Sequence, residues 1–149
     1  MQALDLRVQR PRGPRVQLAG VTFTARVIDK LRASLPGGNL NGYFESNGFS
    51  LVWQRLSGIS LDELRSQIAQ AEAEEHVVAW VDQQLRENGI DRDEANARME
   101  AVTPTSLSAA WQQVFAETYP ATLRDRCSNA FDLFEADDER IYGADAARG

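Results

Sequence analysis

The chain has 149 residues, of which 43% are hydrophobic and 26% are charged. These values are typical of one globular domain that buries a core without disulfides or metal ions. No apolar run approaches a membrane span, and the N-terminus lacks the apolar stretch of a secretory signal. The single cysteine, Cys127, cannot form an internal disulfide. We therefore expect a cytoplasmic protein that has no membrane partner.

The net charge of −6 is distributed unevenly along the chain. Residues 1–32 contain seven cations and two acids, whereas residues 33–149 contain nine cations and twenty acids. An acidic chain repels phosphate backbones, and the basic segment lacks interleaved aromatic residues, so we expect no nucleic-acid partner. The basic segment is expected either to lie against acidic helices of its own chain or to line a pocket for an anionic ligand.

The first twenty residues predict an extended, irregular arm. Pro11, Gly13 and Pro14 interrupt this stretch, and prolines neither donate to a ladder nor continue a helix. Residues 22–35 then predict a helix, which Pro36 ends. Its apolar face is formed by residues at helical spacing, namely Val27, Ile28, Leu31 and Leu35.

The remainder of the chain predicts further helices and almost no period-two alternation. Their predicted starts are near Phe49, at Ser60 through a capping box with Glu63, near Glu74, at Asp91 or Asp93, at Ser106 and near Phe131. The sequence therefore predicts a mainly α single domain over residues 1–149, with about six helices and short loops. Within it we distinguish a basic arm (1–20), a helical core (21–142) and a tail (143–149).

Several classes of catalytic site are excluded by the residues that the chain lacks. His76 is the only histidine and is expected to be an exposed helix residue, which leaves no triad and no zinc cluster of the usual kind. No Walker A, G-x-S-x-G or H-E-x-x-H motif occurs, so we expect neither metal nor cofactor. The acidic run at 132–139 predicts a solvated face, and the three tryptophans predict core packing.

Lys30 is the only lysine among sixteen Lys and Arg residues. On the predicted helix, Arg26, Asp29 and Lys30 lie opposite the apolar stripe, with Arg26 and Lys30 one turn apart. Asp29 is three residues from both Arg26 and Arg32 and is able to bridge either one. Three cations around one carboxylate are a plausible seat for an anion, since arginine forks orient carboxylate or phosphate groups.

A lysine also has chemistry that an arginine lacks, because it loses its proton when it is desolvated or set beside another cation. Lys30 is then able to act as a base or a Schiff-base nucleophile. The alternative is that Lys30 is a solvated residue left by chance in an arginine-biased composition.

The opening "LDLRVQRPRGPRVQLAGVTFTARVIDKLRA" resembles a bacterial family of small proteins of unknown function, domain of unknown function five-zero-six-nine. The motifs that carry the resemblance are Asp5-Leu6, residues 11–14, residues 18–20 and residues 26–33. Two weaker matches are "VVAWV" at 77–81 and "FDLFEADDER" at 131–140. The resemblance implies one mainly helical domain and points to the cluster at 26–32, but it assigns no reaction.

This sequence departs from the family pattern at several positions. Ala19 replaces a glycine, Ala130 stands where a tryptophan is usual, Glu135 replaces an aspartate and Glu139 replaces a glycine. The segment 37–48 follows the family pattern poorly, so a pocket that uses this loop would have its own specificity.

Two functions remain open, and the sequence does not decide whether the chain is an enzyme. The first is the binding of a small anionic molecule, with Lys30 and Asp29 as candidate catalytic residues. The candidate ligand-binding residues are Arg26, Arg32, Arg12, Asp132 and Tyr43. The second is a non-catalytic structural or protein-interaction module, in which Arg26, Asp29 and Lys30 form an internal ion network.

Overall fold

The computed structural model describes residues 1–45 and 48–143, so most of the predicted tail lies outside the described residues. This part of the chain contains α-helices, one short 3₁₀ turn at Pro104–Ser106 and two isolated β-bridges, which confirms the all-α prediction. The helices are α1 (Thr24–Ala33), α2 (Phe49–Ser57), α3 (Leu61–Gln70), α4 (Glu74–Glu87), α5 (Arg92–Glu100), α6 (Ala109–Thr118), α7 (Ala121–Arg124) and α8 (Ala130–Tyr142). None of them is long and apolar enough to cross a bilayer.

The chain divides into two compact units, Met1–Asn96 and Ala97–Gly149. Each unit has buried apolar side chains of its own, and the two are described separately. The expectation of one domain over the whole length stays a prediction.

Side-chain caps fix where several helices begin. Ser60 caps α3 by accepting from the backbone N–H three residues later at 3.4 Å, as predicted. Asp91, one of the two candidates, accepts in the same way at α5 (3.0 Å). The prediction for α6 was wrong: Ser108 caps that helix, and Ser106 instead closes the preceding 3₁₀ turn with Thr103. Pro104 begins the 3₁₀ turn that Ser106 closes, so the cap of α6 falls to Ser108.

Helix α1 is the centre of the first unit, and only Arg32 among its ten residues escapes burial. Its apolar stripe packs within the unit as predicted, and its polar side is covered as well. Trp53 of α2 is fully buried and donates its indole N–H to Thr24 Oγ1 at 3.0 Å. Trp80 of α4 differs from the prediction, because it is only half-buried.

The arm, residues 1–20, is irregular but firmly attached to the first unit. Leu4 and Leu6 are buried, and they flank a parallel bridge between Asp5 and Asn39. The backbone N–H of Leu6 donates to the Asn39 carbonyl (2.9 Å), and the Asn39 N–H donates to the Leu4 carbonyl (2.9 Å). The arm thus adds apolar packing beside the C-terminal end of α1.

The arm ends in a tight turn between Leu18 and Val21, whose backbones exchange two hydrogen bonds. Both central residues, Ala19 and Gly20, have positive φ values, 52° and 75°. Glycine adopts this conformation without a steric cost, whereas alanine does not. The turn therefore favours a glycine at position 19 and makes Ala19 a strained residue there.

The second unit is smaller, and its apolar side chains converge on α8. Phe131 and Leu133 are fully buried there. The rings of Phe115, Tyr119 and Phe134 form a cluster with centroid separations of 5.4 to 6.4 Å. Tilted aromatic contacts of this kind add to the area that the unit buries.

Candidate functional site

The site is built at the start of α1, where Phe23 has an unusual backbone conformation. Its φ is 67° and its ψ is −14°, in the left-handed region that bulky residues rarely adopt. Such a residue costs about 1–3 kcal/mol and persists only where its surroundings hold it. Here the Phe23 N–H donates to the Pro14 carbonyl (2.8 Å), and its ring packs on Phe49 at 4.7 Å. The strain thus places an aromatic ring between the arm, α1 and α2.

Asp29 lies on α1, and its carboxylate is committed to the arm. Its side chain is only 6% exposed. Arg12 donates to it three times: from the backbone N–H to Oδ2 (2.8 Å), from Nε to Oδ2 (3.0 Å) and from Nη2 to Oδ1 (2.8 Å). Charge-assisted, forked hydrogen bonds are among the strongest in proteins. The partner of Asp29 is therefore Arg12, seventeen residues earlier, where the sequence had suggested Arg26 or Arg32.

Arg12 also reaches a second carboxylate, that of Glu74 at the start of α4. Its Nη1 and Nη2 donate to the two Glu74 oxygens at 3.2 and 2.5 Å. Burial lowers the pKa of Arg12, but the hydrogen bonds from its guanidinium to Asp29 and Glu74 outweigh this, and its pKa is raised. Arg12 therefore links the arm, α1 and α4 as a permanent cation. We call Arg12, Asp29 and Glu74 the arm anchor.

Arg26 is 3% exposed. It lies about one turn before Asp29 on α1 and contacts the arm anchor from there. Its Nη1 donates to the Arg12 carbonyl at 3.1 Å, and its guanidinium carbon lies 5.5 Å from the centre of the Tyr43 ring. Arginine over an aromatic face gains electrostatic attraction that is stronger when the pair is desolvated. Four predicted site residues, Arg12, Arg26, Asp29 and Tyr43, are thus brought together.

Lys30 is 5% exposed, so it is not the solvated surface lysine of the alternative reading. It lies one turn after Arg26, and its Nζ is 5.1 Å from the centre of the Phe23 ring. Phe23, Arg26 and Lys30 therefore occupy the same side of α1. Two desolvated cations, each over an aromatic ring, line this side of the helix.

Arg32 and Asp132, two further candidates, have other surroundings. Arg32 is half-buried, and its Nε donates to the Gln2 carbonyl at 2.9 Å, which ties it to the beginning of the arm. Asp132 belongs to the second unit, where its Oδ2 accepts from the Ser128 N–H at 3.2 Å. Their roles as ligand-binding residues stay predictions.

Asp132 also lines a groove of about 320 Å³ in the second unit that contains the sole cysteine. Cys127 is half-buried, and its Sγ lies 3.2 Å from the Leu123 carbonyl oxygen. Burial, and to a lesser degree the charge of Asp132, raises the pKa of the Cys127 thiol. A raised pKa makes this thiol a poor nucleophile at neutral pH.

Two residues that position the site were missed at the sequence level. Glu74 was read only as a helix start, although it accepts from Arg12 sixty-two residues away. Phe23 was read as part of a helix, although its backbone lies outside it. Two signals were available in the sequence: the acidic first turn of α4 and the aromatic residue that precedes α1. Neither signal indicates which residue each of them contacts.

Metal-based chemistry has no evident centre in the described part of the chain, where no group of three or more His, Cys, Asp or Glu side chains is arranged to hold an ion. His76, the only histidine, is exposed on α4, as the sequence predicted.

Comparison with curated proteins gives no match. A family model does match the chain, over residues 8–140, and the matched segment includes every residue of the arm anchor. The resemblance inferred from the opening motif is thereby confirmed. The chain belongs to the family described as a domain of unknown function (DUF5069).

Proposed function

We propose that the chain is a non-catalytic interaction module in which the arm anchor fixes the N-terminal arm as a rigid part of the surface. One observation carries the proposal: both Asp29 oxygens, nearly withdrawn from solvent, accept hydrogen bonds from Arg12 of the arm. Withdrawing the Asp29 carboxylate from water is costly, while the Arg12 side chain stays 32% exposed, so the pair contributes more to fixing one conformation than to net stability.

The fixed arm displays an exposed apolar side chain beside an exposed charged one. Val8 is 83% exposed, and the side chain of the neighbouring Arg7 is 63% exposed. The backbone around them is held by bonds from the Val8 and Gln9 N–H groups to the Asp5 carbonyl (3.2 and 3.1 Å). An ordered segment that presents an apolar side chain between polar ones suits recognition by a partner protein, because little entropy remains to be lost on binding.

The test is whether the anchor holds the arm. Trypsin cleaves after arginine, and the Arg12–Gly13 bond is protected only while Arg12 is bound. Asp29→Asn is expected to accelerate cleavage at this bond by about tenfold or more, since the cation loses its charged partner. Asp5→Asn is the matched control, because it removes an equal charge from the exposed pair in the same arm. Equal cleavage rates in the two variants, followed by mass spectrometry, would contradict the proposal.

A second function, the binding of a small anion at Arg26 and Lys30, is favoured by their burial on one side of α1. Desolvated cations bind anions more strongly than exposed ones do. In this reading Lys30 is a base or an electrostatic stabiliser, and the chain is a cofactor-independent enzyme. The test is calorimetric titration with inorganic phosphate and with succinate. Lys30→Met should abolish binding, whereas the exposed-cation control Arg98→Met should retain it. Normal binding by Lys30→Met would end this reading.

We place the module in the bacterial cytoplasm. The composition supports this location, because a single cysteine that is half-buried and has a raised pKa is suited to a reducing compartment.

A further inference from the structure

The first unit contains a groove away from the arm anchor, between α3 and α4. It has a volume of about 550 Å³ and is lined by Asp62, Glu63, Ser66, Gln67, Trp80 and Gln84. We call it the α3–α4 groove. A shallow, open groove of this size fits an extended peptide better than a small molecule, since small-molecule sites enclose most of their ligand.

Trp80 forms the aromatic wall of this groove. The side chain is half-buried, and the buried face of α4 is formed by its neighbours Val77, Val81 and Leu85. Across residues 1–45 and 48–143, the indole N–H of Trp80 has no hydrogen-bond acceptor and its ring has no aromatic or cationic partner. A tryptophan that offers both a ring face and a donor is the residue type most enriched at the centres of protein interfaces.

The charge of the groove is entirely negative. Asp62 and Glu63 are exposed at the start of α3, and neither forms an ion pair within the described residues. The other lining residues are neutral amides, a hydroxyl and the indole. A guanidinium group satisfies both features at once, because it stacks on an indole face and donates in a fork to carboxylates.

We propose that the α3–α4 groove binds a basic, arginine-bearing peptide segment of a partner protein, with an arginine over Trp80 and its donors directed to Asp62 and Glu63. This inference deepens the proposed interaction function and rests on it. It places a contact with the partner protein on a surface separate from the arm and names the chemical group that binds there.

The experiment is fluorescence anisotropy with a labelled hexa-arginine peptide at an ionic strength of about 0.15 M, where long-range attraction to an acidic protein is screened. The wild-type chain should bind saturably. Asp62→Asn with Glu63→Gln should weaken binding by about tenfold, and Trp80→Ala by about threefold or more. Trp80→Phe, which keeps a ring, should retain most of the affinity.

The chain offers a closely matched control. Asp93→Asn with Glu94→Gln removes two exposed carboxylates from the same positions in the first turn of α5, so the change in net charge and in helix capping is equal. The affinity of this variant for the peptide should lie within about twofold of that of the wild type, because only nonspecific attraction is reduced. Equal losses in the two double variants would overturn the proposal, as would the absence of saturable binding.

Two other outcomes distinguish this inference from a site for a small organic cation and from the arm-anchor proposal. If free arginine or spermidine bound as tightly as the peptide, the site would be one for a small organic cation, and the peptide proposal would be wrong. If Asp29→Asn left the arm protected from trypsin while the peptide still bound at the groove, the arm-anchor proposal would fail alone.

Discussion

Two arginine–aspartate pairs involve the arm: one lies within it and the other attaches it to α1. At the tip of the arm, Arg7 and Asp5 pair at 2.6 Å with side chains that are 63% and 30% exposed. At the anchor, Arg12 and Asp29 pair at 2.8 Å, and the carboxylate is only 6% exposed. The tip pair joins residues two positions apart, whereas the anchor joins residues seventeen positions apart. Water screens both groups of the first pair, whereas in the second it reaches Arg12 (32% exposed) and is largely excluded from the Asp29 carboxylate, so removing one partner should have a larger effect at the anchor.

The largest expected effect comes from removing one partner of the anchor. Asp29→Ala leaves Arg12 beside buried backbone without its main counter-ion, and we expect a loss of about 3 kcal/mol in the free energy of unfolding. Asp5→Ala at the tip should cost much less, because that pair is exposed to water. Urea denaturation of both variants measures the difference. Similar losses would mean that burial does not distinguish the two pairs.

The second prediction replaces the guanidinium and keeps the charge. Arg12→Lys cannot donate in a fork to Asp29 while also reaching Glu74, so it should lose about 1–2 kcal/mol. Arg7→Lys at the tip should change the free energy of unfolding far less than Arg12→Lys does, because one exposed charge replaces another. If Arg12→Lys were as stable as the wild type, the anchor would act through charge alone and the geometry would be irrelevant.

A smaller effect is expected at Glu74, whose side chain is 31% exposed. Glu74→Gln should lower the free energy of unfolding by about 0.5–1 kcal/mol, an effect smaller than that of Asp29→Ala and larger than that of Asp5→Ala. Glu75→Gln is the control, since Glu75 occupies the same first turn of α4 and is exposed. Thermal melting of the two variants separates the contact with Arg12 from the general preference for acids at a helix start. Equal melting temperatures would assign the whole effect to the helix dipole.

The comparison of tip and anchor also shows what a sequence is able to reveal. Helical periodicity predicted α1 and the cluster of Arg26, Asp29 and Lys30, because these features depend on residues close in the chain. Periodicity placed these polar residues opposite the apolar stripe without deciding whether they are covered, and this side is buried as well. The cover comes from the arm and from Tyr43, and helical spacing carries no information about residues outside the helix.

The partners of the site were harder to predict than its members. Spacing indicated only that Asp29 is able to bridge Arg26 or Arg32, and it did not single out Arg12, which the shape of the arm brings to it. The contact between Arg12 and Glu74 spans sixty-two residues, and nothing local to either residue signals it. Ser106 was taken as a cap because it precedes an apolar stretch, whereas Ser108 is the residue that caps α6. Local chemistry thus identifies which groups need a partner, and the tertiary fold decides which partner they receive.

The last prediction concerns the Arg7–Asp5 pair and compares the pKa of Asp5 in the folded chain with its value in the unfolded chain. Hydrogen bonds from the Arg7 side chain, and then from its backbone N–H, lower the pKa of Asp5 from 3.8 to about 2. A carboxyl group with a lowered pKa stabilises the folded chain above pH 3.8, and this contribution is lost as the pH falls toward 2. Asp5 should therefore titrate with a midpoint near 2 in a carbon NMR titration of the folded protein.

Arg7→Gln provides the control, because it removes the charged side chain and leaves the backbone donor (2.9 Å) in place. The pKa of Asp5 should then rise toward 3.8 without reaching it. By linkage, the rise in the pKa of Asp5 should come with a modest drop in melting temperature at neutral pH, and the two proteins should converge as the pH falls toward 2. A large drop in melting temperature would show that the tip is coupled to the anchor through the arm backbone, and the two pairs would then have to be treated as one unit.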